Sequence, residues 1–321
     1  MAHYERKIKI KSLIKDRFKH IYKNLINFIL IPFGENKFIV YSFVLRFLQF
    51  LGCHNWYHKL LNQVDINNVK FVKISVGTAV SGGKYLYVTN SYDSLRYWCR
   101  HDFGEWEFVS RHFFVSIASG CEMVLDIGAY TGIYSVETAI LNPDCIVNSF
   151  EPNPRIFQNL RRNIELNELE ERVKLFQISL GQQIGKAKLY LPENNGTSMA
   201  TLKTGSSEYL EVPMSTLDSI HFVKSIDLIK IDVEGFESKV FLGGQNALDK
   251  FKPIILGEAL TLNELRDQQL ILSKYGYKEP IKVYQGTVSD SRNYIWFSKR
   301  DEFKVNSFLS KSRKEFAKFH P

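Results

Sequence analysis

A chain of 321 residues with 45% hydrophobic and 24% charged side chains can bury a full core, which excludes an intrinsically disordered protein. It contains no uncharged apolar run of about 18 residues, so a conventional membrane-spanning helix is not expected. Its four cysteines lie far apart without a C-x-x-C pair, which argues against a disulfide framework and favours a reducing compartment. We therefore expect a cytoplasmic protein.

The net charge of +8 is concentrated at the two ends of the chain. Residues 1–24 carry a net charge of +6 and residues 299–321 a net charge of +4, which leaves −2 for the body between them. An acidic body argues against a catalytic face that binds nucleic acid, so we expect no nucleic-acid partner. The basic ends favour either contact with an anionic membrane surface or frayed termini.

Within an expected extension of residues 1–68, residues 6–31 alternate Lys and Arg with Ile, Leu and Phe, in part at helical spacing. This pattern predicts a basic helical extension that packs on the rest of the protein, covers the acceptor site, or lies on the inner face of the membrane. A membrane anchor or signal segment is a further alternative. His54 and His58 have helical spacing, but without other ligands nearby they are better explained as ordinary histidines than as a metal site.

Residues 69–298 have the pattern of one α/β domain, followed by a basic C-terminal tail in residues 299–321. The alternation between turn glycines in residues 69–90 predicts a small hairpin. Residues 184–214 predict short strands and turns. The main apolar strands begin at Val124 and cover residues 145–150, 173–180, 227–231 and 253–256. Helical segments between them predict a Rossmann-like, mostly parallel sheet with helices on both faces.

Two helices in this domain have clear boundaries. The first follows Gly132 and ends before Pro143. The second has Asn153 as its N-cap and Pro154 as its first helical residue.

Residues 124–132 predict a cofactor site, because an apolar strand runs into Asp126 and then into a glycine turn that opens a helix. Gly128 and Gly132 let the backbone approach a ligand, and free N–H groups at the helix start favour a carboxylate or phosphate. Asp126 would repel a pyrophosphate but accept a hydrogen bond from the ammonium of S-adenosylmethionine, whose sulfonium is also positive. The dinucleotide fingerprint G-x-G-x-x-G is missing. The alternative is that Asp126 only caps the glycine turn.

Four carboxylates, those of Asp126, Glu151, Asp232 and Glu258, each close a separate apolar strand. In a parallel sheet they would gather along one edge, where such sheets bind ligands. The spacing between Asp126 and Glu151 is typical of a carboxylate that binds the two hydroxyls of a ribose. NAD-type sites share this spacing, so it does not by itself distinguish the two cofactors.

Lys230, Asp232 and Glu234 alternate along the fourth strand, so we expect them to face the same cleft. Methyl transfer to a hydroxyl needs a base, which Asp232 or Glu234 would supply. Lys230 would orient the acceptor or, with its pKa lowered by burial, serve as the base itself. Two alternatives stay open: these oxygens bind Mg²⁺, or Lys230 only neutralises a buried strand end.

Five motifs of this chain resemble those of a known family. The motifs are Asp126-Ile-Gly-Ala-Tyr-Thr-Gly, Phe150-Glu-Pro-Asn-Pro, Thr216-Leu-Asp-Ser, Ile226-Asp-Leu-Ile-Lys-Ile-Asp-Val-Glu-Gly-Phe-Glu and Pro253-Ile-Ile-Leu-Gly-Glu. In this order they resemble the FkbM family of S-adenosylmethionine-dependent methyltransferases, over residues 105–298. The resemblance implies a class I methyltransferase fold and methylation of a hydroxyl on a sugar, a glycolipid or a secondary metabolite.

The resemblance also implies roles for individual residues. The residues implied at the reacting centre are Lys230, Asp232, Glu234 and Glu258. The residues that we expect to bind the cofactor are Asp126, Gly128, Ala129, Tyr130, Gly132, Glu151 and Ser179. Tyr130 departs from the family pattern, which usually has Asn at this position.

The acceptor class is a carbohydrate, a lipid-linked saccharide or a small hydroxyl compound. Two other functions stay open: a non-catalytic module that binds S-adenosylmethionine, and an NAD(P)-dependent oxidoreductase. An enzyme that methylates nucleic-acid bases is disfavoured. Such enzymes usually carry an Asn/Asp-Pro-Pro-aromatic loop after the fourth strand, where this chain has Asp232-Val-Glu-Gly.

Overall fold

The structure, a computed structural model, describes residues 72–77, 84–89, 107–191, 202, 208–284 and 292–319, the first two ranges by their backbone alone. The chain divides into two compact units, residues 1–72 with 98–100, and residues 73–97 with 101–321. The elements that build the candidate site belong to the second unit. The expected basic extension and the two histidines within it lie outside the described residues.

Strands and helices alternate along most of the described chain. The strands are β1 (Val72–Gly77), β2 (Lys84–Thr89), β3 (Met123–Ile127), β4 (Ile146–Phe150), β5 (Val173–Phe176), β6 (Ser179–Leu180), β7 (Gly185–Tyr190), β8 (Tyr209–Ser215), β9 (Leu228–Ile231), β10 (Ile254–Glu258), β11 (Ile281–Lys282) and β12 (Asn293–Trp296). The helices are α1 (Phe108–Ala118), α2 (Ile133–Leu141), α3 (Pro154–Leu166), α4 (Glu237–Leu242), α5 (Gln245–Phe251), α6 (Leu262–Leu272) and α7 (Glu302–Phe319).

The main sheet holds seven strands in the order β11-β12-β10-β9-β3-β4-β5. The strands from β10 to β5 are parallel to their neighbours, whereas β12 runs antiparallel to both β10 and β11. The chain enters this sheet at β3, builds outward to β5, and then returns to the other side of β3. A doubly wound sheet binds its ligand at the carboxyl ends of the strands beside this switch point. The predicted class I Rossmann-like fold is confirmed.

The two faces of this sheet differ in chemistry at β3 and β9. The odd-numbered side chains of both strands lie in the main apolar core. Because side chains alternate between faces, Asp126 on β3 and Lys230 on β9 point to the other face. That face is covered by α1 and α2: Ser135 of α2 donates to Asp126, and Asn293 of β12 donates to Ser110 of α1. The side chains of Asp126 and Lys230 therefore lie on the face opposite to this apolar cluster.

Several predicted elements are confirmed. The hairpin expected at residues 69–90 corresponds to β1 and β2, which form a two-stranded sheet. Helix α2 ends at Leu141, and α3 begins at Pro154 with the Asn153 side chain accepting a hydrogen bond from Arg155 N at 3.1 Å.

The single strand predicted for residues 173–180 is wrong, since this segment forms two strands in different sheets. β5 pairs with β4 in the main sheet, whereas β6 pairs with β8 in a three-stranded sheet of order β6-β8-β7. Apolar residues recur from Val173 to Leu180 because each of the two sheets buries part of the segment, and hydrophobicity alone does not reveal where the chain changes partner. The strand predicted to stop at residue 256 continues to Glu258.

The C-terminal region, where we expected a basic tail, ends in an 18-residue helix that packs on α1. Val305, Leu309 and Phe316 of α7 are buried, and Ser312 on the same side lies 2.8 Å from His112 Nδ1 of α1. Residues three to four positions apart line one face of a helix, so the basic side chains lie between apolar positions that dock. Within the described residues, no helix is long and apolar enough to cross a membrane.

Candidate active site

Two glycines shape the loop between β3 and α2. Gly128 has φ 79° and Gly132 has φ 90°, a backbone conformation that favours glycine. A Cβ at Gly128 would lie 1.8 Å from the carbonyl O of Asp232, and one at Gly132 would lie 2.5 Å from Cδ1 of Leu160. The glycine loop, residues 128–132, therefore packs closely against both the end of β9 and α3.

The backbone amides of the glycine loop bind the end of β4. Gly128 N and Ala129 N both donate to the carbonyl O of Phe150 at 2.9 Å. Tyr130 N donates to the Glu151 carboxylate at 3.0 Å. These contacts fix the loop on the neighbouring strand, a use of its amides that we did not predict.

Asp126 lies on β3 with 2% of its surface exposed. Its carboxylate accepts hydrogen bonds from the hydroxyl and the backbone N–H of Ser135, and the Ser135 hydroxyl lies 2.7 Å from that of Ser149. Burial raises the pKa of Asp126 to about 6, against the hydrogen bonds from Ser135 and the charge of Lys230. Asp126 thus binds the first turn of α2, whereas the alternative interpretation made it a cap of the glycine turn, and its carboxylate retains lone pairs for a ligand.

Glu151 follows β4 and is also buried. Besides Tyr130 N, its carboxylate accepts a hydrogen bond from Asn153 N at 2.8 Å. Burial raises the pKa of Glu151 to about 8, although both N–H bonds favour the charged form. The two buried carboxylates predicted at the cofactor site therefore flank the glycine loop.

Lys230 is 2% exposed, and its Nζ lies 3.1 Å from Oδ2 of Asp232 and 5.2 Å from the centre of the Tyr134 ring. Burial lowers its pKa, but the charges of Asp232, Glu107 and Glu258 outweigh burial and hold the pKa above the ordinary value. The suggestion that a lowered pKa makes Lys230 the base is therefore wrong. The ion pair with Asp232, left open as an alternative, is present.

Asp232, Glu234 and Glu258 gather around Lys230, although not as residues of one strand. β9 ends at Ile231, so Asp232 and Glu234 belong to the following loop, where the alternation assumed from the sequence does not apply. Burial and the charge of Asp232 raise the pKa of Glu234 to about 7 and also raise that of Glu258. Asp232 has 29% of its side chain exposed, so solvent or a ligand can reach its carboxylate.

Three residues of this region were missed by the sequence analysis. The Tyr134 hydroxyl donates to Glu107 at 2.7 Å, and Glu237 accepts from Val233 N at 3.0 Å and from Gly235 N at 3.2 Å. Glu237 was within reach of the sequence, since it ends the longest motif. Tyr134 and Glu107 meet only through the packing of α1 on α2.

Ser179, expected at the cofactor, lies in β6, and its hydroxyl donates to the Pro213 carbonyl at 3.0 Å. Its cofactor role stays a prediction. Burial raises the pKa of the free thiols of Cys121 and Cys145 to about 12, so neither is an activated nucleophile. Among the described residues, no cluster of His, Cys, Asp or Glu is arranged to hold a metal ion.

Comparison with known proteins agrees with the motif resemblance. Residues 126–279 match the family model described as the methyltransferase FkbM domain. The chain is 29% identical over 167 residues to the 2-O-methyltransferase NoeI of Sinorhizobium fredii, which covers 46% of this chain and 65% of that protein. It is 26% identical over 153 residues to methyltransferase sdnD of Sordaria araneosa, which covers 37% of this chain and 59% of that protein.

A crystal structure of methyltransferase FkbM from Methylobacillus flagellatus KT is 16% identical, with a TM-score of 0.40. That alignment covers 64% of this chain and 54% of the other. The chain thus spans less than two thirds of the length of each of these three proteins.

Proposed function

We propose that the protein, whose residues 126–279 match the family model of the methyltransferase FkbM domain, is an S-adenosylmethionine-dependent O-methyltransferase. The acceptor is a hydroxyl of a sugar, a lipid-linked saccharide or glycolipid, or a small secondary metabolite. The relative NoeI, named a 2-O-methyltransferase, supports oxygen as the acceptor atom.

One contact carries the proposal: the glycine loop packs directly against the start of the loop that follows β9. A Cβ on Gly128 would lie only 1.8 Å from the carbonyl O of Asp232, so the two segments are in backbone contact. Asp126 and Glu151 flank the glycine loop, and Lys230 with Asp232 lie at the end of β9. A methyl donor on the first segment and an acceptor on the second would meet there, as a transfer reaction requires.

The chemistry of the first segment fits S-adenosylmethionine. Burial makes the negative charges of Asp126 and Glu151 unfavourable, as their raised pKa values indicate. A ligand that brings an ammonium to Asp126 and ribose hydroxyls to Glu151 would offset that burial. The backbone of Gly128, Ala129, Tyr130 and Gly132 and the Ser179 oxygen would complete the pocket. When bound, S-adenosylmethionine supplies a methyl group on a positively charged sulfur.

The second segment, the end of β9 with the loop that follows it, would bind the acceptor. Asp232 is accessible enough to take the proton that an acceptor hydroxyl loses as its O–H bond is replaced by an O–CH₃ bond. Lys230 holds the Asp232 carboxylate by its 3.1 Å hydrogen bond. Glu234 and Glu258, whose pKa values are raised, would bind neighbouring hydroxyls as donors when protonated and as acceptors when ionised. A polyhydroxylated acceptor suits such a set of carboxyl groups.

Calorimetric titration with S-adenosylmethionine, with NADH as control, tests the cofactor first. Saturable binding of S-adenosylmethionine alone supports the proposal, whereas binding of NADH alone overturns it in favour of an oxidoreductase. Mass spectrometry of glycan and glycolipid acceptors then tests turnover. Cofactor binding without methylation of any acceptor in the panel would favour the non-catalytic module. Asp249→Asn is the control for variants of the carboxylates in the site. Asp249 is an exposed carboxylate near the end of α5, just before β10 starts, and therefore lies at the amino-terminal ends of the parallel strands, away from the site.

We also propose peripheral contact with the cytoplasmic membrane face through the basic residues 1–68. Sedimentation of the full chain with anionic and with neutral phospholipid vesicles tests this contact. Binding to anionic vesicles that salt abolishes supports it, and equal recovery with both vesicle types contradicts it.

A further inference from the structure

Glu107 enters the candidate site from outside the matched domain, which begins at residue 126. It immediately precedes α1 and is 7% exposed. Its φ of 46° lies in the left-handed region, which residues with a side chain seldom adopt. Tyr130 of the glycine loop and Glu234 also have positive φ values, so three such residues surround one site.

Glu107 is connected, through an aromatic ring and an ion pair, to the residues that we propose bind the acceptor. The Tyr134 hydroxyl donates to Oε2 of Glu107 at 2.7 Å. The Nζ of Lys230 lies over the ring of the same tyrosine, 5.2 Å from its centre, and 3.1 Å from Oδ2 of Asp232. The order of contacts is therefore Glu107, Tyr134, Lys230 and Asp232.

Among the described residues, the carboxylates of Glu107, Asp232, Glu234 and Glu258 lie around the ammonium of Lys230, and the charge of Arg292 also acts on Glu234. Glu107 and Asp232 both favour the charged form of Lys230. Glu258 faces Asp232, Lys230, Glu234 and Glu107, and the negative charge of Glu107 contributes to the rise in its pKa. Like charges at close range cannot all be ionised at no cost, so removal of one carboxylate affects the others.

We propose that Glu107 is a positioning residue of the methyl-transfer site, which holds Tyr134 and Lys230 so that Asp232 faces the acceptor hydroxyl. The inference rests on the proposed function. It assigns part of the site to a segment upstream of the methyltransferase FkbM domain. Without Glu107, the ammonium of Lys230 is free to shift with Tyr134, and Asp232 shifts with it.

Three variants of the full chain separate the possible roles. Glu107→Gln removes the charge but keeps an oxygen that accepts from Tyr134. Tyr134→Phe removes the hydrogen bond but keeps a ring beneath Lys230. Glu137→Gln is the matched control: it removes a buried carboxylate that ties α1 to α2 through Arg111, outside the Lys230 cluster.

Two measurements are made on each variant. Kinetics gives kcat, the acceptor KM and the dissociation constant of S-adenosylmethionine. Nuclear magnetic resonance of ¹³C-labelled carboxyl groups follows the titration of Glu258, a readout that does not depend on turnover. We expect Glu107→Gln to lower kcat by about tenfold to a hundredfold, because small misplacements of reacting groups have effects of this size. We expect the titration of Glu258 to move to lower pH, with cofactor affinity within about threefold of wild type.

The outcomes are distinct. Tyr134→Phe should lower kcat, but it should move the Glu258 titration less than Glu107→Gln does. Glu137→Gln should lower the thermal midpoint of unfolding and leave the Glu258 titration where it is in wild type. If Glu107→Gln has wild-type kcat, or if Glu258 titrates as in wild type, the inference is overturned alone. If the wild-type chain neither binds S-adenosylmethionine nor transfers methyl, the proposed function fails and takes this inference with it.

Discussion

Asp126 and Lys230 stand opposite each other on β3 and β9, as Cα partners in the parallel register. Partners in adjacent strands project to the same face, and here both side chains are buried. Lys230 lowers the pKa of Asp126, partly offsetting the rise that burial causes. The pair therefore links the expected cofactor half of the site to the expected acceptor half.

Removal of the Asp126 carboxylate should weaken cofactor binding. A hydrogen bond to a charged group contributes about 1.5–3 kcal/mol, so Asp126→Ala should raise the dissociation constant of S-adenosylmethionine about tenfold to 150-fold. Calorimetric titration measures the change. Ser149→Ala is the control, since it removes a hydroxyl of the same network but no charge. An unchanged affinity in Asp126→Ala would show that this carboxylate only binds α2.

Asp232→Asn should separate binding from turnover. The change removes the proton acceptor but keeps a side chain of the same size beside Lys230, so cofactor affinity should stay within about threefold while kcat falls. Turnover assays and calorimetry on the same preparation measure both quantities. Wild-type turnover in Asp232→Asn, with Glu234→Gln inactive, would move the base to Glu234.

Much of the site could be predicted because its carboxylates follow apolar strands. A strand end is a local pattern, and neighbouring parallel strands bring Asp126, Glu151, Asp232 and Glu258 to one edge whatever the details of packing. Which acid faces which cation could not be predicted, because β9 ends before Asp232 and the following loop sets its direction.

Glu107 could not be predicted, because it reaches the site through the packing of a helix that the sequence hides. The residues of α1 are buried on almost every side. A helix without an exposed face has no amphipathic period, and periodicity is the main helix pattern available in a single sequence. The role of Glu107 depends on the tertiary contact with Tyr134.

The stability of the protein should fall as pH rises from about 5 to 8. Burial raises the pKa of Asp126 to about 6, of Glu234 and Glu237 to about 7, and of Glu151 to about 8. The folded chain therefore binds protons more tightly than the unfolded chain. This stabilisation is complete below the ordinary carboxyl pKa and is lost as pH rises through the folded values.

Urea unfolding at several pH values measures this dependence. Glu151→Gln should flatten the slope between pH 7 and 8, where Glu151 titrates in the folded state. The exposed Asp249→Asn should leave the slope unchanged. A stability that rises across this range would contradict the assignment of raised pKa values to these buried carboxyl groups.

The buried ion pair of Arg111 and Glu137 should be sensitive to the loss of one partner. Both side chains have no exposed surface, and Arg111 Nε lies 3.3 Å from Oε2 of Glu137. Glu137→Ala leaves a buried guanidinium without this carboxylate, which costs about 3–5 kcal/mol. The double variant Arg111→Met with Glu137→Leu should recover most of the loss, since it removes both charges. Equal destabilisation by the single and the double variant would mean that shape rather than charge is decisive.

Tyr130→Asn should stabilise the glycine loop. Tyr130 has φ 49°, in the left-handed region, which costs most side chains about 1–2 kcal/mol and which Asn adopts more readily. We expect a gain of about 1 kcal/mol in the free energy of unfolding, measured by urea denaturation. Glu168→Asn is the control, because Glu168 has φ 57° in the turn after α3 and should show a similar gain without any effect on cofactor affinity. If Tyr130→Asn destabilises the chain while Glu168→Asn stabilises it, contacts of the tyrosine ring outweigh the backbone strain, and the ring is then the part of Tyr130 to test in cofactor binding.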